Sequence, residues 1–168
     1  LWSDGNVALI TIIIFILCVG GSIAILDHSG IMKELIAILV RRFSKKKYLL
    51  IWLLIFFFMF ITSFIGVYEG LVPMIVFIVP LAISLGFDSL TGLGISLLPM
   101  AFGFSAAVTN PFTIAIAQRI AELPTFSGAL FRIAFFITIY FLLGVFVSRY
   151  AKKIEKNPHL SLSYAEDE

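Results

Sequence analysis

The sequence is short of the residues that most chemistry needs. It has one cysteine and two histidines. Cys18 sits inside an apolar run, so no internal disulfide can form and no metal set can be assembled around it. His28 and His159 lie near a loop and in the tail and read as solvated residues, because the partners of a catalytic histidine are missing. No G-x-S-x-G, H-E-x-x-H or phosphate-binding loop occurs. No basic face with interleaved aromatics points to nucleic acid. Charged residues make up only 13% of the chain, against roughly 25% in a soluble domain. These shortages argue against a membrane-embedded enzyme and against a soluble fold.

What is abundant is apolar surface: 61% of the residues are hydrophobic and 18 are phenylalanine. Runs 7–26 and 48–65 each approach the roughly 20 residues that a helix needs to cross a bilayer core of about 30 Å. Four or five such runs in 168 residues cannot all be buried in a domain this small. The fold class is therefore an all-α integral membrane protein with several spans. The chain begins at Leu1 with no basic n-region and no A-x-A site, so the first run reads as a span rather than a signal peptide, and a fragment is expected.

The transmembrane domain is expected over 1–156, followed by a polar tail at 157–168 with no expected structure. Its spans are placed at 6–26, 48–65, 71–87, 89–120 and 128–150. Gly20-Gly21-Ser22 near the end of the first suits close approach of a neighbouring helix. Segment 31–43 is too short and too charged to span. Its apolar residues Ile31, Leu35, Ile38 and Leu39 alternate with Lys33, Glu34, Arg41 and Arg42, as in an amphipathic helix lying at the interface. The arms 48–65 and 71–87 form either two full spans or a re-entrant hairpin with its tip at 63–70, and Pro73 and Pro80 interrupt the second arm. Proline removes a backbone donor and pushes the preceding residue out of the helical region. Asn110-Pro111 therefore predicts a break in 89–120 near 109–111.

Basic residues at 41–47 and 149–156 place both loops in the cytoplasm. The N-terminus is then outside and the C-terminus inside, in the cytoplasmic membrane.

The two breaks carry the chemistry. Non-helical backbone at membrane depth is tolerated only inside protein or beside a water-filled cavity. Transporters use it to aim helix ends at substrate and carbonyls at ions. Thr62, Ser63 and Gly66 stand at the first break, and Ser105, Thr109, Asn110 and Pro111 at the second. Their hydroxyl, amide and backbone oxygens suit Na⁺, best at Ser63, Thr109 and Asn110, or a substrate carboxylate. The bland alternative is that these are ordinary membrane-helix residues bonded to their own backbone. Glu69 is the only charged residue between Lys47 and Asp88. It is functional if held at membrane depth and merely wet if the tip reaches the interface. Arg132, near the start of its span, reads as snorkelling to the surface. Phe56-Phe57-Phe58 reads as lipid-facing packing.

At these positions the sequence resembles the DcuC/ArcD-like (YfcC-type) carriers of the ion transporter superfamily. Gly66, Glu69 and Val72-Pro73 match the family's hairpin tip. Gly86-Phe87-Asp88-Ser89-Leu90 resembles its G-[YF]-D-S-L turn. Gly103-Phe104 and Thr109-Asn110-Pro111-Phe112 match its second element. The similarity runs over about 20–124. It implies one repeat of an inverted-repeat transporter, with a hairpin and a broken helix meeting at a midplane site. It also implies a small carboxylate substrate, anionic or zwitterionic: a C4-dicarboxylate, or a basic amino acid in exchange. No cofactor is expected beyond a coupling Na⁺ or H⁺. No internal repeat is visible, so the expected partners are the lipid bilayer and a missing second repeat or a second copy of the chain. A membrane scaffold without transport is the alternative; it predicts that the polar residues at the breaks pair with each other and leave no cavity.

Overall fold

The computed structural model describes residues 4–167. The outermost positions of the two expected ranges, 1–3 and 168, lie outside the described residues. All regular structure among them is helical. Eight α-helices follow one another: α1 (Asp4–His28), α2 (Ile31–Phe43), α3 (Lys47–Phe64), α4 (Ile75–Ser84), α5 (Ser89–Ala106), α6 (Ile114–Ile120), α7 (Ala129–Lys156) and α8 (Tyr164–Asp167). Among the described residues, three helical runs are long and apolar enough to cross a membrane: Ile31–Phe64, Ser89–Ala106 and Ala129–Lys156.

α5 is the centre of the bundle. It packs against α3, α4 and α7, and α3 also packs on α7. Small residues allow this. A Cβ on Gly103 would lie 2.6 Å from the Met59 carbonyl oxygen and 2.7 Å from its Cα. One on Gly92 would lie 2.8 Å from Val79 Cα, and one on Gly144 2.5 Å from the Trp52 ring. α3 therefore touches α5 backbone to backbone at its far end and α7 through an aromatic plate. Its buried residues Ile51, Ile55, Phe58, Met59 and Thr62 recur at helical spacing on one face, while Leu53, Phe57 and Phe60 point outward.

The outward surface is as apolar as the core. Leu130, Phe131, Leu142 and Phe146 along α7 are all exposed, Leu130 by 84%. Water would not tolerate such a surface over a whole helix; lipid does. This is a multi-pass membrane protein. α1 stands apart from the bundle, touching α2 and the Val72–Met74 turn. No atom comes within 4 Å of where a Cβ on Gly20 or Gly21 would be, so the close approach expected there does not occur among the described residues.

The prolines act unequally. Pro73 opens the 3₁₀ turn Val72–Met74, where a missing N–H costs nothing. Pro80 and Pro99 sit inside α4 and α5, and both helices continue past them. The interruption comes at 107–113, around Asn110-Pro111.

The tail is folded, contrary to the expectation of none. After α7 the chain makes a 3₁₀ turn, Pro158–Leu160, and then α8. Ser161 and Ser163 are buried. The reason is Asp88, which caps the N-terminus of α5 by accepting from the Thr91 N–H at 2.9 Å. Its other oxygen accepts from Tyr150 (2.8 Å) and Ser161 (2.6 Å). Asp167 in turn accepts from the Ser89 N–H (2.9 Å) and from Ser163 (2.8 Å). The tail is thus strapped across the turn that joins α4 to α5.

Candidate functional site

The first break begins where α3 stops. The N–H groups of Ile65 and Gly66 both bond to the Ile61 carbonyl, and Gly66 turns the chain with φ 83. This leaves the carbonyls of Thr62, Ser63 and Phe64 without helical partners, as at any helix C-terminus. In lipid, each would be costly.

The second break supplies the missing donors. Asn110 Nδ2 donates to the Thr62 carbonyl at 3.2 Å. The Thr109 N–H donates to the Ser63 carbonyl at 3.3 Å. Thr109 Oγ1 donates to the Phe64 carbonyl at 3.0 Å. A fourth bond runs from the Val108 N–H to Ser63 Oγ at 3.1 Å. Three consecutive carbonyls of one broken helix are therefore capped by two consecutive residues of the other, Thr109 and Asn110. Asn110 completes its valence by accepting the Phe112 N–H at 2.8 Å on Oδ1. This closes a local turn around Pro111.

Gly66 is needed at this contact. A Cβ there would fall 2.8 Å from Asn110 Cγ and 2.9 Å from the Phe112 ring. Asn110, Thr62 and Ser63 are fully buried, while Thr109 is half-buried. Thr62 Oγ1 is engaged by its own helix, donating to the Phe58 carbonyl at 2.8 Å.

Not every expected site residue is drawn in. Ser105 is exposed and donates to the Ala101 carbonyl in its own helix at 2.9 Å. Pro111 is exposed and lines a shallow cleft with Arg119 and Glu122. Glu69 is exposed in the turn between α3 and α4.

Arg132 corrects the snorkelling expectation. Its Nε donates to the Val108 carbonyl at 3.2 Å and its Nη1 to the Ser127 carbonyl at 2.8 Å. The guanidinium thus reaches the second break. Its Nη2 is buried without a partner among the described residues, as is Thr113 Oγ1. Sequence reading also passed over Gln118. This residue closes the α6–α7 loop by donating to the Ser127 carbonyl (2.8 Å) and accepting from the Phe126 N–H (2.6 Å). Its position 8 residues before its partner Phe126 leaves no periodic signal to find. No group of three or more His, Cys, Asp or Glu that could hold a metal occurs among the described residues.

Interrupted helices whose ends meet inside a lipid-facing bundle are the construction of membrane carriers that work by alternating access. The chain belongs to the family described as DcuC, C4-dicarboxylate anaerobic carrier, whose model matches residues 3–168. It is 31% identical over 156 residues to a protein of Escherichia coli (strain K12) named "Putative basic amino acid antiporter YfcC", covering 93% of this chain and 31% of that protein. It is 22% identical over 165 residues to an uncharacterized protein of Haemophilus influenzae (strain ATCC 51907 / DSM 11121 / KW20 / Rd), covering 98% of this chain and 32% of that one. The chain thus spans about a third of the length of these relatives. No solved structure matches it.

Proposed function

We propose that this chain forms one half-site of a secondary active transporter that moves a small carboxylate across the cytoplasmic membrane. The substrate is a C4-dicarboxylate or an amino acid, carried by alternating access without any enzymatic step. The observation that carries the reading is the capping of the Thr62, Ser63 and Phe64 carbonyls by Thr109 and Asn110, beside the bond from the Val108 N–H to Ser63 Oγ. Such bonds exchange readily for bonds to an ion or a substrate, because each donor and acceptor is uncharged and held at a helix end rather than within one. Family membership and the Escherichia coli relative support transport, and their names point to different substrates.

The oxygens of Ser63, Thr109 and Asn110 are hard, neutral donors suited to a coupling Na⁺; H⁺ is the other candidate. Arg132, with a donor unpartnered among the described residues beside the second break, favours a substrate bearing a carboxylate. The second repeat, or a second copy of the chain, would supply the other half-site. The basic segments 41–47 and 149–156 support an outside N-terminus and an inside C-terminus.

One observation favours the scaffold alternative: the polar groups of the two breaks bond to each other directly. Counterflow in proteoliposomes distinguishes the two. Vesicles holding the complete polypeptide that carries this segment are loaded in turn with unlabelled succinate, arginine or ornithine and offered the labelled compound, with and without a Na⁺ gradient. Accumulation of one class identifies the substrate. Absence of exchange with all three by well-folded protein favours the scaffold.

A further inference from the structure

Between α2 and α3 the helix is interrupted by the 3₁₀ turn Ser44–Lys46. Phe43 (φ −111, ψ 1) and Lys46 (φ −132, ψ 36) leave the helical region on either side of it. The bend brings Arg41 and Arg42, at the end of α2, beside Lys45 and Lys46, ahead of α3. All four are exposed. They share one cleft of about 430 Å³ with Phe43, Ser44 and Leu49.

None of the four cations has a hydrogen bond or ion pair with another described residue. The next residue shows what the fold does when it neutralises a cation. Lys47 pairs with Glu155 at 2.6 Å, donates to the Leu85 carbonyl at 3.4 Å and lies 4.9 Å from the Phe87 ring centre. The fold thus engages one cation of the run and leaves four like charges crowded together, which is unfavourable without a counter-charge.

Immediately beyond the cleft the surface of α3 turns apolar. Leu49, Leu53, Phe56 and Phe60 are exposed and recur every three or four residues, so they form one stripe leading away from the cations. A concentrated positive site at the head of an apolar stripe matches an amphiphile with an anionic head.

We propose that this cleft binds the phosphate headgroup of an anionic phospholipid, whose acyl chains lie along Leu49, Leu53, Phe56 and Phe60. A soluble phosphate would satisfy the cations but leave the stripe unused. The site does not depend on which substrate the carrier moves. It rests on the membrane class of the chain and on the expectation that α2 lies at the interface.

The test is native mass spectrometry of the complete polypeptide in detergent, titrated with phosphatidylglycerol or with phosphatidylcholine of the same acyl chains. Phosphatidylglycerol is expected to be retained about tenfold better, and the variant R41Q/R42Q/K45Q/K46Q to reduce that preference to about twofold or less. The pairs R41Q/R42Q and K45Q/K46Q each lose part of it, which keeps the test sound if the fourfold variant folds poorly. The charge-matched variant R149Q/K152Q/K153Q/K156Q, at the end of α7, keeps the full preference. Equal retention of the two lipids by the unaltered protein overturns the proposal. Equal loss in both fourfold variants overturns it too, since diffuse surface charge would then suffice. Displacement of the lipid by inorganic phosphate in detergent assigns the cations to a soluble anion instead.

Discussion

The side-chain amide of Asn110 donates to the backbone carbonyl of Thr62 across 48 residues of sequence, at 3.2 Å. This bond joins the two interrupted helices at their broken ends, and most of what can be tested follows from it.

Gly66 faces Asn110 at a positive φ. Gly66→Ala adds both backbone strain and a collision with the carboxamide. We expect a loss of about 1–3 kcal/mol in stability, read as a lower melting temperature in detergent. Gly103→Ala acts at a different point, the close contact of α5 with α3, because Met59 backbone blocks the new Cβ. It should destabilise by a similar amount, whereas Gly86→Ala, with open space around it but φ 84, suffers the backbone cost alone.

The serines separate by burial. Ser63→Ala removes the buried acceptor of the Val108 N–H, at a cost of about 1–3 kcal/mol. Ser105→Ala, exposed and bonded only to its own helix, should stay within about 0.5 kcal/mol of the parent. Thermal unfolding of the pair distinguishes them.

Glu69 is exposed on the turn, so Glu69→Gln should leave stability within about 0.5 kcal/mol of the parent. Any fall in uptake by this variant then reports a role in transport rather than in folding. Unchanged uptake assigns Glu69 to solvent.

Acid should open the tail. Burial pushes the Asp88 carboxyl up, but hydrogen bonds from Ser161, Thr91 and Tyr150 outweigh it and hold the group below its ordinary value. Asp167 is likewise raised by burial and lowered further by the Ser89 side chain, the Ser89 N–H and Ser163. A carboxyl with a depressed folded value stabilises fully above its unfolded value and loses that contribution as pH falls through the folded one. Hydrogen-exchange protection at 157–167, measured relative to the intrinsic rate at each pH, should therefore be high near neutral pH and fall once the medium is more acidic than an ordinary carboxylate. Asp88→Asn should show fast exchange already at neutral pH.

The legible parts of the fold were those written in local chemistry. Apolar runs gave the helices, and Asn110-Pro111 gave the second break, because proline acts on its immediate neighbours. Gly86-Phe87-Asp88-Ser89-Leu90 was recognisable as a turn. Its residues have separable tasks: Gly86 takes the left-handed backbone, Asp88 caps α5, and Ser89 holds the tail. What sequence could not disclose were pairings across long separations. The tail looked unstructured because its order comes from Asp88, 73 residues before Ser161. Arg132 looked like a surface residue because nothing nearby in sequence shows that its side chain turns back to Val108. Gly20 and Gly21 permit close packing but do not require it, and no neighbour meets them among the described residues.

The central claim is that the bonded breaks are working parts of a carrier. The most direct measurement is initial uptake by the complete polypeptide in proteoliposomes, comparing Asn110→Ala with the parent at equal amounts of folded, reconstituted protein. Loss of about 10-fold or more in uptake, beyond what the folded fraction explains, is predicted, since one such hydrogen bond is worth about 1–3 kcal/mol where the acceptor is buried. Parental uptake in an Asn110→Ala protein that is merely less stable would contradict the account and leave the bond a structural clasp.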